Sequence, residues 1–385
     1  MWSRLAATRL ASLAHTFPAV LVLGPRQVGK TTLVRQTFPD HPYVDLERPV
    51  LTDLFAQDPE FHIKARATPN LILDEAQAVP SVFAALRGII DEQRKLNGRF
   101  ILLGSAQPML VRGVSESLAG RVGILDLAPL TVAEVSTFGN IAPADVWLRG
   151  GFPDALAAAD FRVWWESYLR SYLERDLPQL GLNVDPVFLR RMLTMLAHSQ
   201  GGVLKVSSLC NSLGVSRGVV ERCLDVFEGT YILRRLPPFF RNVGKRLVKA
   251  PKVYLRDSGL LHHLLNISSQ SELDAHPIRG ASWETFVLED LLRREQLAHP
   301  SSQAFFWRTA AGAEIDLVLD RGSTVAVVEI KSAQVGSARD VRFLSDAMID
   351  VGAKQGYFVD QGPDRFALAP HIERLGFEVA SAWLP

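Results

Sequence analysis

The stretch GPRQVGKT, residues 24–31, decides the fold of the first part of this sequence. It follows the apolar run Val20–Leu23 and precedes the helix-compatible stretch TLVRQTF. The pattern G-x-x-x-x-G-K-[ST] between a strand and a helix predicts a phosphate-binding loop, because its glycines let backbone N–H groups turn inward around phosphate oxygens. The alternative is a chance glycine-rich turn, and the flanking strand and helix favour the loop.

Two polar residues of this loop have an expected role. Lys30 would reach the β- and γ-phosphates of ATP, and the Thr31 hydroxyl would ligate Mg²⁺. The N-terminus of the next helix adds the positive end of its dipole. The predicted nucleotide-binding residues are Gly24, Pro25, Arg26, Gln27, Val28, Gly29, Lys30, Thr31, Thr32 and Asp74.

A second signal, LILDEAQ, lies in residues 71–77. Its three apolar residues predict a buried strand that ends in Asp74 and Glu75. A carboxylate at that strand end can hold Mg²⁺, directly or through water, and the next one can polarise a water for attack on the γ-phosphate. Asp74 is therefore a predicted magnesium ligand, and Glu75 is the predicted catalytic base.

Two further residues have open alternatives. The third predicted strand, RFILLGS, ends at Ser105, whose side chain could orient the attacking water or could satisfy a turn. Arg121 ends the stretch SESLAGR. It could act as an arginine finger on the phosphates of a neighbouring subunit, or it could be a solvated charge at a helix C-terminus.

In this order, GPRQVGKTTL, LILDEAQ, ILLGS and SESLAGR resemble a family of prokaryotic AAA-type ATPases. The C-terminal half of that family is a restriction-endonuclease-like domain of unassigned function. The stretches RGGFPDAL, YLERDL and PKVYLRDSGL extend the resemblance over nearly the whole chain. It implies an AAA-type nucleotide-binding core in which Lys30, Thr31, Asp74 and Glu75 are the matching residues.

The middle of the chain has helical periodicity from Gly150 to about Ser199. Its aromatic stripe, which includes Trp165 and Tyr168, is interpreted as core and not as a base-stacking platform. From residue 206, the order helix, turn, helix and β-segment predicts a winged helix. Residues 201–250 contain nine Lys or Arg and three Asp or Glu, a local charge of +6. This excess could bind DNA, although winged helices in ATPases also serve as lids that contact protein.

The C-terminal third contains a predicted hairpin, EIDLVLDRGSTVAVVEIKS, in residues 314–332. Gly322 is at the first central position of a two-residue type II′ turn. The resulting register places Asp316 opposite Glu329, with Cβ atoms about 5 Å apart. Two carboxylates this close repel each other unless one is protonated or a cation lies between them, and one Mg²⁺ could bridge them.

Two more residues complete this predicted metal site. Glu284 shares an apolar helical stripe with Val287 and Leu288, where a carboxylate is costly without a partner. Lys331 is expected to stabilise a water nucleophile or the scissile phosphate. The set of Glu284, Asp316, Glu329 and Lys331 resembles the metal site of restriction-endonuclease-like nucleases. The alternative is a salt bridge between Glu314 and Lys331, with Asp316 and Glu329 solvated.

The expected fold class is α/β, with an AAA-type core in residues 1–145, a helical and winged-helix region in 146–260 and a restriction-endonuclease-like domain in 261–385. The length of 385 residues and the net charge of +1 fit a multi-domain globular protein and give no general preference for nucleic acid. Two cysteines without a CxxC pattern argue against structural zinc and suggest the cytoplasm, and no apolar run is long enough to span a membrane.

Two hypotheses about function follow from these predictions. The first is an ATP hydrolase with bound Mg²⁺ that acts on or at DNA and carries a metal-dependent nuclease-type domain. The second is a nucleotide-dependent regulator or scaffold that binds a protein partner, in which the nuclease fold is catalytically silent. A homo-oligomer is compatible with both hypotheses.

Overall fold

The computed structural model describes residues 2–105, 114, 117–137, 141–240, 249–309, 312–333 and 337–383. The chain divides into two compact units. The first comprises Met1–Leu130 with Gly229–Tyr231, and the second comprises Thr131–Glu228 with Ile232–Pro385. Within the described ranges, no helix is long and apolar enough to cross a membrane.

The first unit is built on a parallel five-stranded sheet in the order β2-β3-β4-β1-β5. Its strands are β1 (Ala19–Gly24), β2 (Tyr43–Asp45), β3 (Leu71–Asp74), β4 (Phe100–Ser105) and β5 (Val122–Asp126). Its helices are α1 (Ala6–Thr16), α2 (Lys30–Thr37), α3 (Pro49–Gln57), α4 (Pro59–Arg66) and α5 (Ser81–Glu92). The predicted strands of the phosphate-binding core are confirmed, and the stretch before β1 forms helix α1.

The apolar runs of β1 and β3 are buried throughout, as expected for central strands of a parallel sheet covered on both faces. Parallel strands bring their carboxyl ends to one edge, so the end of β1 and the end of β3 lie at the same edge of the sheet. Position 24, the last of β1, requires glycine, because a Cβ atom there would lie 2.3 Å from the carbonyl oxygen of Leu127. Gly29, with φ of 94°, precedes α2 in a left-handed conformation that suits glycine.

The second unit begins with a helical region. Its helices are α6 (Val132–Ser136), α7 (Pro143–Arg149), α8 (Pro153–Ala157), α9 (Phe161–Ser171), α10 (Leu177–Gln179), α11 (Pro186–His198), α12 (Val206–Leu213), α13 (Arg217–Gly229), α14 (Ser258–Leu264) and α15 (Gln270–Ala275). Strands β6 (Leu233–Leu236) and β7 (Lys252–Leu255) form an antiparallel pair. The predicted helix, turn, helix and β-segment are present, and their assignment to the winged-helix class stays a prediction.

The aromatic stripe of α9 lies in the core, as predicted, with Trp165 and Tyr168 buried. Cys210 and Cys223 lie among apolar positions of α12 and α13, which predicts core thiols; Cys223 is buried, whereas Cys210 is only partly buried. The polar stretch of residues 266–280 predicts an exposed linker or loop, but the structure has helix α15 within it. Its N-terminus is capped by the Ser269 side chain, which accepts a hydrogen bond from the amide of Glu272.

The C-terminal part is a long helix, α16 (Arg279–Ala298), with a mixed six-stranded sheet in the order β12-β13-β11-β10-β9-β8. The remaining elements are β8 (Gln303–Arg308), β9 (Glu314–Asp320), β10 (Val325–Ile330), α17 (Ala338–Val351), β11 (Gln355–Asp360), β12 (Arg365–Ala369), β13 (Ile372–Gly376) and α18 (Phe377–Trp383). Strands β8, β9 and β10 form an antiparallel meander, and β11 returns parallel to β10. The order helix, three strands, helix and parallel strand is compatible with the predicted nuclease-like fold.

Candidate functional site

The phosphate-binding loop holds Lys30 against its own backbone. The Lys30 side chain is buried, and Nζ donates hydrogen bonds to the carbonyl oxygens of Gly24 at 3.0 Å and Pro25 at 2.9 Å. Burial lowers the pKa of Lys30, and the negative charges of Glu75 and Asp74 oppose that shift. The ammonium group therefore lies inside the loop, where the motif predicts that phosphate oxygens bind.

The structure brings the two predicted magnesium ligands together. The Thr31 hydroxyl donates a hydrogen bond of 2.7 Å to Oδ2 of Asp74, across 43 residues of sequence. The Tyr43 hydroxyl donates to the same oxygen at 2.7 Å, and the amide of Glu75 donates to Asp74 Oδ1 at 2.9 Å. A hydroxyl and a carboxylate in contact at the edge of a phosphate loop fit the oxygen ligands that Mg²⁺ prefers. The motifs do not predict Tyr43, which lies on β2.

Glu75 stands next to this pair in a strained backbone conformation. Its φ of 50° is left-handed, which is uncommon for residues other than glycine. Burial raises the pKa of the Glu75 carboxyl, and the Lys30 charge and a hydrogen bond from Gln77 partly offset this rise. A carboxylate with a raised pKa at this position suits a group that accepts a proton near neutral pH.

Arg4 supports the loop from outside the motif. Its Nη1 donates to the carbonyl oxygen of Val28 at 2.9 Å, and its Nη2 donates to the carbonyl oxygen of Ala128 at 2.5 Å. The side chain thereby joins the phosphate loop to the segment that follows β5. Its position in a short basic N-terminal stretch gave no signal of this contact.

Ser105 lies at the carboxyl end of the parallel strands, and Arg121 lies at their amino end. Ser105 pairs with Gly24 at the carboxyl end of β4, beside the phosphate loop, and its side chain falls outside the described part of the structure. Arg121 immediately precedes β5, and its guanidinium donates to both carboxylate oxygens of Asp91 at 2.8 Å. It therefore does not reach the phosphate loop of its own chain, and an action on a neighbouring subunit stays a prediction.

The C-terminal hairpin gathers four carboxylates, those of Glu284, Glu314, Asp316 and Glu329, which we call the acid cluster. The predicted register is confirmed near the turn, where Asp320 pairs with Val325 and Leu317 pairs with Val328, and the type of the turn at Gly322 stays a prediction. Glu284 comes from α16, Glu314 and Asp316 from β9, and Glu329 from β10. The three predicted acids therefore meet, with Glu314 as a fourth member.

At the far end of the hairpin, the pairing of β9 with its other neighbour, β8, is irregular, and the opposition of Asp316 and Glu329 stays a prediction. Between its partners on β8, β9 advances by three residues, from Ile315 to Val318, while β8 advances by two, which places a bulge next to Asp316. Asp316 Oδ2 accepts a hydrogen bond of 2.9 Å from the amide of Ile330. The alternative salt bridge between Glu314 and Lys331 is not formed. Instead, Lys331 Nζ lies 2.5 Å from Glu329 Oε1.

A lysine that the motif analysis missed lies inside the acid cluster. Nζ of Lys252, on β7, lies 3.1 Å from Glu284 Oε1 and 3.4 Å from Asp316 Oδ1, and it also forms an ion pair with Glu314. The side chain of Lys252 is 1% exposed. A lysine in the buried strand KVYL was the available signal, since a lysine is almost never fully buried unless it is paired.

The electrostatics of the acid cluster reflect burial and crowding. Burial, together with the charge of Asp316, raises the pKa values of Glu284 and Glu329. Burial alone would lower the pKa of Lys252, but the charges of Glu284, Asp316 and Glu314 outweigh it and raise that pKa. Tyr254 donates a further hydrogen bond of 2.6 Å to Glu284 Oε1.

The acid cluster does not fit a divalent metal in this arrangement, because the Lys252 ammonium lies among its oxygens. Across the described ranges, no group of three or more His, Cys, Asp or Glu side chains is arranged to hold a metal ion. The predicted ligand roles of Glu284, Asp316 and Glu329 and the predicted catalytic role of Lys331 stay predictions.

Two arginines of the predicted basic surface are engaged within the protein. Arg234 forms a two-contact ion pair with Glu289, a residue of α16 that is 2% exposed, with 3.0 Å between Nη2 and Oε2. Arg235 donates from Nε to Glu228 and from Nη2 to Asp225, both at 2.7 Å. The local charge of residues 201–250 therefore overstates the free positive charge. Lys245 and Arg246 lie outside the described residues.

Comparison with known proteins agrees with this architecture. Residues 16–136 match the family described as an AAA domain, and residues 142–271 and 279–377 match two domains of unknown function, DUF8612 and DUF4143. The uncharacterized proteins Rv2008c of Mycobacterium tuberculosis and Mb2031c of Mycobacterium bovis are each 39% identical to this chain over 372 residues, which cover 95% of this chain and 82% of theirs.

Among solved structures, a Walker-type ATPase of Pyrococcus abyssi aligns with a TM-score of 0.45 and 16% identity, over 69% of this chain and 96% of that one. The AAA match and the phosphate-loop geometry identify the first unit as an AAA-type P-loop ATPase domain. With 39% identity over most of both chains, the protein belongs to the family of the uncharacterized mycobacterial proteins Rv2008c and Mb2031c.

Proposed function

We propose that the protein binds ATP together with Mg²⁺ in its AAA domain and hydrolyses it to ADP and phosphate. The contact between Thr31 and Asp74 carries this proposal, because it places two magnesium-type oxygen ligands at the mouth of a P-loop that also holds Lys30. Bound Mg²⁺ would neutralise charge on the β- and γ-phosphates.

In this proposal, the chain's own residues bind and orient the reactants. The loop amides and the Lys30 ammonium would hold the phosphates once Lys30 exchanges its carbonyl partners for phosphate oxygens. Glu75 would take a proton from the water that attacks the γ-phosphorus, while the bond from that phosphorus to the bridging oxygen of ADP breaks. Tyr43 and the Glu75 amide would keep the Asp74 carboxylate in place.

Replacing the loop lysine tests this proposal. We expect Lys30→Ala to abolish ATP binding, measured by calorimetry, and ATP turnover, measured as phosphate release. Lys95→Ala, on an exposed residue of the same unit, serves as the matched control and should behave like the wild type. Equal binding and turnover in Lys30→Ala and the control would refute the assignment.

For the C-terminal domain, we propose the regulatory alternative: a catalytically silent nuclease-like fold that binds a protein partner under the control of the ATPase domain. The specific observation in its favour is that Lys252 pairs with Glu284 and Asp316, two of the acids that a nuclease would use for metal binding. The ion pairs of Arg234 and Arg235 weaken the support for DNA contact through the middle region.

A cleavage assay separates this proposal from the nuclease hypothesis. We expect no cutting of single-stranded or double-stranded DNA or of RNA by the wild type with Mg²⁺ or Mn²⁺, with or without ATP. Metal-dependent cutting that disappears in Asp316→Asn, Glu329→Gln and Lys331→Ala alike would establish a nuclease and overturn the regulatory proposal.

A further inference from the structure

We infer that Lys252 is the resident cation of the acid cluster, in the place of a divalent metal, and that it holds β7 against α16 and β9. This inference rests on the proposal of a silent nuclease-like fold and specifies how the cluster is silenced. Three contacts carry it, those of Lys252 Nζ with Glu284, Glu314 and Asp316.

The charges of the region are nearly balanced without a metal. Four carboxylates, those of the acid cluster, lie beside three cationic side chains, Lys252, Lys331 and Arg308. Arg308 Nη1 lies 3.0 Å from Glu314 Oε2, whereas Lys252 contacts Oε1 of the same carboxylate. One bound proton would complete the neutralisation, whereas a divalent ion would leave an excess of positive charge.

Burial explains why this lysine matters. The Lys252 side chain is 1% exposed, and the side chains of Asp316 and Glu329 are 10% and 5% exposed. Removing one partner of a buried ion pair is strongly destabilising, because the remaining charge is left uncompensated in a poorly solvated place. The lysine is therefore expected to be structural as well as a barrier to metal binding.

The lysine also connects two parts of the second unit. Strand β7 belongs to the two-stranded ribbon with β6, whereas Glu314 and Asp316 belong to the six-stranded sheet and Glu284 belongs to α16. Val203, which precedes α12, forms an isolated bridge with Lys252 itself. A charge contact of Lys252 with the acid cluster thus joins the helical region to the sheet.

One acid of the cluster retains an unused oxygen. Glu329 Oε2 is buried and has no hydrogen-bond partner among the described residues, while its Oε1 pairs with Lys331. Once the Lys252 ammonium is removed, carboxylate oxygens of Glu284, Asp316 and Glu329 would be available together in a site of excess negative charge. Such an oxygen set suits Mg²⁺ or Mn²⁺.

The test measures melting temperature and Mn²⁺ binding by the full chain without nucleotide. Lys252→Met keeps the length of the side chain and removes its charge, and Lys249→Met is the matched control on an exposed lysine. A second version of each protein also carries Asp316→Asn. Mn²⁺ binding that this substitution removes is assigned to the acid cluster and not to the P-loop.

We expect no Asp316-dependent Mn²⁺ binding by the wild type or by Lys249→Met. Lys252→Met should melt roughly 10 °C lower than the wild type. Mn²⁺ should then bind and restore part of this loss, and Asp316→Asn should abolish the restoration.

Two results would overturn the inference. The first is Asp316-dependent Mn²⁺ binding by the wild type, which remains decisive even if Lys252→Met does not fold. The second is a melting temperature of Lys252→Met equal to that of Lys249→Met. If either result occurs and the wild type does not cleave nucleic acid, only the role of Lys252 is refuted, and the proposal of a catalytically silent domain is unaffected. Cleavage of nucleic acid by the wild type would refute that proposal as well.

Discussion

Single residues of the nucleotide site differ in how visible they are in the sequence. Lys30, Thr31, Asp74 and Glu75 belong to motifs in which spacing and flanking strands indicate their roles, and the structure brings all four together. Tyr43 has no such signal, because a tyrosine on a short strand is common and its partner Asp74 lies 31 residues away. A hydrogen bond between distant strands depends on strand order, which a local pattern does not contain.

Tyr43 provides a prediction at this scale. Tyr43→Phe removes the O–H group that donates to Asp74 Oδ2 and leaves the aromatic ring. A hydrogen bond to a charged group contributes about 1.5–3 kcal/mol, so we expect the apparent KM for Mg²⁺ in ATP turnover to rise about tenfold or more. The melting temperature without nucleotide is the control for folding. An unchanged Mg²⁺ dependence would exclude Tyr43 from the orientation of Asp74.

Lys252 shows the same limit in the acid cluster. The opposition of Asp316 and Glu329 raised the question of which cation separates them, and a metal was the nearest chemical answer. The structure supplies two cations: Lys331 contacts Glu329, and Lys252 contacts Asp316 across 64 residues of sequence. The signal of Lys252 was a cation in an otherwise apolar buried strand, which predicts a partner without identifying that partner.

At the scale of elements, the hairpin could be predicted from the alternation of apolar side chains and from the glycine at its turn. The bulge in β9 could not be predicted. The turn at Gly322 and the pairs from Asp320 to Leu317 follow from a period of two. The additional residue in β9 has no signal in the sequence, and Glu314 beside it pairs with Lys252 and Arg308 and not with Lys331. The short helix α15 was missed although Ser269 and Glu272 have the spacing of a capping pair.

The basic segment shows why a charge count within a window can mislead. Arg234 on β6 is neutralised by Glu289, 55 residues further along the chain and outside the counted segment. Its role is therefore expected to be structural. An exposed arginine such as Arg217, which pairs with Glu221 within its own helix, is expected to contribute little.

These two arginines give a matched prediction. Arg234→Met leaves the buried Glu289 carboxylate with one partner fewer and should lower the free energy of unfolding by about 3 kcal/mol. Arg217→Met should change it by less than about 0.5 kcal/mol. Urea denaturation followed by tryptophan fluorescence measures both. Equal stability of the two variants would contradict the structural role of Arg234 and return it to the candidates for phosphate contact.

At the scale of the whole molecule, order along the chain was easier to predict than packing. The P-loop core, the helical middle and the C-terminal mixed sheet occur in the predicted order. The middle and C-terminal regions pack within one unit, through contacts such as those of buried His262 with the carbonyl oxygen of Leu148 and the hydroxyl of Ser282. The division at residues 145 and 260 stays a prediction, because periodicity identifies elements and not the surfaces they share.

The central claim is that this chain hydrolyses ATP with Glu75 as the base, and Glu75→Gln tests it most directly. The substitution keeps the shape of the side chain, leaves Thr31 and Asp74 in contact and removes the proton acceptor. Steady-state phosphate release and ATP affinity are measured on the wild type and the variant. We predict ATP affinity within about threefold of the wild type and turnover lower by about a hundredfold or more. Equal ATP turnover by the wild type and Glu75→Gln would contradict the account.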